Sequence, residues 1–177
     1  MHRHDEKQLA HAYESKELLD YSVGLLQLAR GNRAAARDAL EQALVENLAF
    51  YPAHAKLAEL ALGQGDRAAA WREYAQAVDL GAEDGVLHYR YGAALGLAGR
   101  YDEAEVQLRK AEELEPWYAP PYVTLARVLE ARGQRQRALD QYREYVLRTP
   151  SSAPELDQAQ ARIAALTAEP HDSDPHR

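Results

Sequence analysis

The chain has 177 residues, 46% of them hydrophobic and 28% charged, with a formal net charge of −7. That length allows one globular domain or one short repeat array, and the negative balance argues against nucleic acid or an anionic lipid surface as the main partner. The absence of cysteine excludes disulfides, thiolate metal sites and cysteine nucleophiles, and nothing approaches 18 consecutive apolar residues, so no segment reads as a membrane span.

Residues 1–16 read as an amino-terminal extension, helical from about Asp5. The start, MHRHDEKQLAHAYESKE, has no apolar core of signal-peptide length, so with Met1 as the native start the expected compartment is the cytoplasm. Abundant Ala, and Arg in excess over Lys, suggest a GC-rich bacterial source. His2 and His4 are ligand types that suit zinc, copper or nickel, but two imidazoles at a chain end do not complete a site. No metal or other cofactor is expected.

From residue 17 to 150 the chain reads as four units, 17–50, 51–84, 85–118 and 119–150. Gly31, Gly65, Gly99 and Gly133 stand 34 residues apart, and Ala36, Ala70, Ala104 and Ala138 keep the same spacing. Such a period predicts a stack of two-helix units. Each glycine should end a first helix, because it reverses the chain at little steric cost. The alanine falls early in the second helix, and seven residues before each glycine is another small residue, Gly24, Ala58, Gly92 or Ala126. Small residues let paired helices approach, so these sets mark the crossing. Leu40, Tyr74, Leu108 and Tyr142 should fill the space beside it, and Ala43, Ala77 and Ala111 should meet the next unit, with Tyr145 in that place in the fourth. Pro116 and Pro150 should close two second helices, with Leu48 and Ala82 leaving the others less sharply punctuated. In the first helix, Leu18, Leu19, Leu25 and Leu26 make more than one face apolar. Either the amino-terminal segment, through Leu9 and Tyr13, or a second subunit in a homodimer should cover it. The EPWYAPPY stretch is expected to use Trp117 and Tyr118 to cover a joint between units, with Pro120 and Pro121 starting a helix.

Ser152 and Glu155 have capping-box spacing and open a helix to about Leu166, so 151–167 reads as a capping helix and 168–177 as a disordered tail. No catalytic constellation is visible. There is no G-x-S-x-G, phosphate loop or H-E-x-x-H, and the carboxylates at Asp102, Glu103 and Glu105 face Arg109 as on a solvated helix surface. His54 and His88 occupy one slot of successive units and read as packing residues. No enzymatic activity is expected.

The pattern resembles the tetratricopeptide repeat family over about residues 17–150. HYRYGAALGLAGRYDEAEVQLRKAEELEP carries the family's recurring positions at His88, Tyr91, Gly92, Leu95, Gly99, Tyr101, Ala104, Leu108, Ala111 and Pro116. The resemblance implies an all-α, right-handed superhelical solenoid of four helix-turn-helix units plus the capping helix. It also implies a non-catalytic scaffold or adaptor that holds a peptide or helical segment of a protein partner in its concave groove. The groove positions would be Tyr21, Leu25, Leu28, Ala55, Glu59, Leu62, Tyr89, Arg90, Ala93, Val123, Arg127 and Glu130. The carboxylate clamp of some relatives is not implied, because its positions hold Tyr21, Leu25, Lys56, Val86 and Arg90 without the asparagine. The alternative is a small acidic cytoplasmic chaperone for a secreted or membrane-destined client, which the size and charge would also suit.

Overall fold

The structure, a computed structural model, describes residues 15–153 and 155–168. Over these residues the chain is helical and contains no strand: α1 (Lys16–Ala29), α2 (Arg33–Glu46), α3 (Tyr51–Gly63), α4 (Arg67–Leu80), α5 (Gly85–Leu97), α6 (Tyr101–Leu114), α7 (Pro120–Ala131), α8 (Arg135–Arg148) and α9 (Leu156–Ala168). None of the described helices is long and apolar enough to cross a membrane. The extension expected over 1–16 lies outside the described residues except for Ser15 and Lys16, and the tail expected over 168–177 except for Ala168. Pro154, inside the Ser152–Glu155 box, is outside them too.

The second helices begin at residues 33, 67, 101 and 135, so the 34-residue period of the sequence is carried without slippage. The turn chemistry explains why. Gly31, Gly65, Gly99 and Gly133 have φ of 78°, 81°, 77° and 71°, where a side chain would be strained. Each completes a reciprocal pair of bonds: Gly31 N–H donates to the Leu28 carbonyl and Asn32 N–H to the Gln27 carbonyl, both at 2.9 Å, and the other three turns repeat this. At the far end α2 and α4 stop two residues before Leu48 and Ala82, as α6 and α8 stop two residues before Pro116 and Pro150. Proline is therefore not what sets the end. The Asn47 and Gly81 N–H groups close on the Ala43 and Ala77 carbonyls instead.

Two compact units divide the chain, Met1–Ala82 with α1–α4 and Glu83–Arg177 with α5–α9. In the first, α1 packs on α2, α2 on α3 and α3 on α4; Ala36, Leu40, Ala43, Ala53, Leu57 and Leu60 form one cluster. In the second, α5 packs on α6, α6 and α5 on α7, α7 on α8, and α8 on α9. Gly24 and Gly92 sit where a Cβ would lie 2.9 Å from Leu40 Cγ and 2.8 Å from Leu108 Cγ, so each bare backbone seats a buried leucine.

A polar slot recurs beside this packing. His54 Nδ1 meets Glu73 Oε2 at 2.7 Å and Nε2 meets the Leu48 carbonyl at 3.2 Å. His88 Nδ1 meets Gln107 Oε1 at 2.7 Å, and the Tyr122 hydroxyl donates to the Pro116 carbonyl at 2.9 Å. The equivalent Asp20 keeps one carboxylate oxygen buried without a hydrogen-bond partner among the described residues. Its second-helix counterpart, at the place of Glu73 and Gln107, is Ala39. The hydrogen bond with Glu73 raises the His54 pKa against the opposing effect of burial.

Candidate functional site

The first helices carry the side chains expected to meet a partner, and the two units treat them differently. In the first unit Tyr21 and Leu28 are half-buried against the core cluster, Tyr21 edge-on to Phe50 with ring centroids 5.3 Å apart. Leu25 is exposed and Leu62 half-buried. Glu59 accepts from Lys56 Nζ at 2.6 Å. Ala55 is only 4% exposed and offers a ligand almost no surface.

In the second unit Tyr89, Ala93 and Arg127 line one cleft of about 400 Å³. Its remaining wall is Gly96 and Leu97 of α5, Tyr101 of α6, and Thr124, Val128 and Ala131 of α7. Gly96 is what lets α7 come close, because a Cβ there would lie 3.0 Å from Val128 Cγ2. The floor is thus alanine, glycine and valine, with a phenol at two places and a guanidinium on the rim. Arg90 is exposed. Arg127 also borders a second cleft of about 450 Å³, with Val123, Tyr142 and Arg162. Val123 is 4% exposed, so its part is wall, not reach. Glu130 is not open to a ligand in the way expected: it accepts from the Tyr142 hydroxyl at 3.0 Å and is bridged by Arg162.

The loop between α6 and α7 is pinned at one atom. The Pro116 carbonyl accepts from the Tyr122 hydroxyl and, at 2.7 Å, from Arg148 Nε, while the Arg148 guanidinium lies 4.2 Å from the Tyr122 ring centroid. Tyr118 then packs edge-on to Tyr89, centroids 5.4 Å apart and rings at 88°. Burial pushes the Tyr118 phenol pKa up. Trp117 is 85% exposed and covers no joint, contrary to the sequence expectation. The pinned carbonyl beside it holds the backbone while the indole stays in water.

The outer surface of the second unit corrects another expectation. Glu105 is not part of a solvated face but a shared anchor, 2.5 Å from Arg132, 3.5 Å from Arg109 and bridged by Arg137. Arg132 also reaches Asp102 at 2.5 Å. Beside this network opens a wider cleft of about 730 Å³, lined by His88, Val106, Gln107, Lys110 and Glu113 among others, whose charges are largely paired. Glu112, one turn on from Arg109, is half-buried; burial pushes its carboxyl up to about 7, with Arg109 and Arg148 pulling the other way.

Sequence offsets therefore located three residues of the 400 Å³ cleft and missed six. Gly96 and Leu97 lie three and four residues after Ala93, and Thr124 and Ala131 three and four from Arg127, so a count of one helical turn would have found them. Tyr101 belongs to a second helix, and no first-helix offset reaches it.

Residues 97–163 match a tetratricopeptide repeat family model. No curated protein matches the chain by sequence. Among solved structures, the chain is similar to MamA at 19% identity, with 85% of this chain and 80% of that one covered and a TM-score of 0.75. It is similar to PilF of Pseudomonas aeruginosa at 24% identity, covering 85% and 67%, with a TM-score of 0.75. A third is YrrB, described as a tetratricopeptide repeat protein with an unusual peptide-binding site, at 19% identity, 88% and 76% coverage and a TM-score of 0.68. At these identities the likeness concerns the fold.

Proposed function

We infer, for a chain built from tetratricopeptide repeats, that it is a non-catalytic adaptor whose second unit anchors a segment of a protein partner. The fold implies a protein-interaction scaffold; the anchoring site is the further step, and the observation that carries it is the cleft shared by Tyr89, Ala93 and Arg127. Its apolar floor takes one aliphatic or aromatic side chain. The exposed Arg127 guanidinium favours a carboxylate about one turn or one extended step away. Tyr89 is held by Tyr118, so the aromatic wall is in place before a ligand arrives and little ordering cost is added. The peptide-binding site described for YrrB supports the class of ligand, not the position.

The test is selection of peptides on the full chain from a random library, followed by titration of a selected peptide against Arg127→Glu and Ala93→Arg variants. Recovered peptides should pair an apolar anchor with Asp or Glu, and each variant should weaken binding by about 30-fold, the loss typical of a central interface residue. Peptides that bind both variants with undiminished affinity would overturn the assignment.

A further inference from the structure

Five of the twelve large hydrophobic residues exposed among the described residues stand on one helix, α1. Leu18, Leu19, Val23, Leu25 and Leu26 are between 37 and 65% exposed. The repeat shows what this face is shaped for. One period on, Leu19, Val23 and Leu26 correspond to Ala53, Leu57 and Leu60 of α3, which are at most 9% exposed and pack against Leu40 and Ala43 of α2. The same three positions that meet a helix in α3 meet solvent in α1.

The identity of the covering helix can be read from the symmetry of the face itself. Counted from Ser22, leucines stand three residues away on both sides (Leu19, Leu25) and four residues away on both sides (Leu18, Leu26), and small residues stand seven away (Ser15, Ala29). A helix with this order is its own antiparallel complement. Turned about a two-fold axis through Ser22, it sets Leu19 against Leu25 of a second copy, Leu18 against Leu26, and Ser15 against Ala29. That self-match is what a closed, isologous interface requires. The small residue at the centre lets the two helices cross closely. Ser22 already donates to the Leu18 carbonyl at 2.7 Å, so burying it leaves no hydroxyl donor unpaired. No carboxylate stands in the stripe: Lys16 at one end bridges to Glu46 of its own chain, and Glu17 and Asp20 are half-buried on the other side of the helix.

The area is of the right order. The five apolar side chains leave roughly 400 Å² exposed per copy, within the range of the largest patch on a single soluble chain and about half of the 800 Å² that one partner gives to a standard complex. The stems of Lys16 and Arg30 and the small residues of the stripe extend it. We propose that this face joins two copies of the chain, α1 against α1 in antiparallel register with Ser22 at the crossing.

Sedimentation equilibrium of the full chain over a concentration series tests this, with three variants. The expected result is a reversible species of twice the chain mass. Leu19→Lys with Leu26→Lys should weaken it by at least ~30-fold, because two apolar contacts on each copy are lost from the centre, while Leu147→Lys, another exposed apolar position, should leave it unchanged. In this cysteine-free chain Ser22→Cys should be joined into a covalent dimer by a short bis-maleimide, and Leu147→Cys should not. All substituted positions are exposed, so circular dichroism should show every variant folded. A chain that stays monomeric at high-micromolar concentration would overturn the proposal, whether residues 1–14 or nothing shields the face. A dimer that survives the double lysine change, or one that Ser22→Cys fails to trap, would overturn it equally. Peptide binding at the Arg127 cleft should persist in the lysine variant, so the two assignments stand or fall separately.

Discussion

Replacing Gly92 with alanine sets two opposed energies against each other. In an open helix interior the change is favourable by about 1 kcal/mol, since alanine gives up less backbone entropy. At position 92 the added methyl would lie 2.8 Å from Leu108 Cγ, 3.1 Å from its Cδ2 and 3.1 Å from its backbone nitrogen. Leu108 is fully buried, and a backbone atom cannot rotate aside. Overpacking of this kind costs about 1–3 kcal/mol, so the helix gain offsets only part of it and the second unit should lose about 1 kcal/mol. The repeats supply the compensating change. Where the facing residue is leucine (Leu40, Leu108) the slot holds glycine (Gly24, Gly92); where it is tyrosine (Tyr74, Tyr142) the slot holds alanine (Ala58, Ala126). A flat ring leaves room for a methyl that a branched Cγ does not. Gly92→Ala combined with Leu108→Tyr should therefore lose less than the sum of the single changes, by about 1 kcal/mol of coupling. Urea denaturation followed by circular dichroism measures all three variants, with the two units allowed separate transitions. A stabilising Gly92→Ala, or strictly additive losses in the double variant, would refute the packing argument.

Glu112 and Asp20 make two further predictions. The Glu112 carboxyl is at about 7 in the fold against 4.5 when unburied, so the folded state holds a proton the unfolded state has lost between these values. Stability of the second unit should fall as pH rises from about 4.5 to 7 and level off above. Glu112→Gln should flatten that slope and stabilise the chain at pH 8 by about 1 kcal/mol, the pKa difference being discounted for partial exposure and the Arg109 pairing. A slope unchanged by the substitution in pH-dependent denaturation would count against it. Asp20→Leu removes a buried carboxylate oxygen that has no partner among the described residues, and should raise the urea midpoint of the first unit by the equivalent of about 1 kcal/mol; a lower midpoint would mean that the oxygen is satisfied.

The local grammar of this chain is legible in its residues because its causes are local. A glycine is needed wherever φ must be near +75°, and four of them at one spacing set where the first helices stop and the second begin. Ala36, Ala70, Ala104 and Ala138, with the large residues four places on, mark the crossings because contact inside a hairpin depends on residues close in sequence. All of these are buried as the pattern requires. The ends of α2 and α4 were less legible: without proline at Leu48 and Ala82 the sequence looked open-ended, yet backbone closure on Ala43 and Ala77 stops them in the same register.

What a partner could touch was decided by the tertiary structure. Equivalent positions 34 residues apart carry different side chains, and their environment depends on which helix the next repeat lays over them. Ala55 and Tyr89 stand at the same offset of the groove in the sequence, 34 residues apart, but one is buried and the other lines the cleft. Glu105, which reads as a surface carboxylate, and Glu130, which reads as a groove position, are held by cations from later in the chain, while Trp117, which reads as a buried seal, stands in water. Each outcome turns on a contact between residues distant along the chain, and helical periodicity carries no information about such contacts.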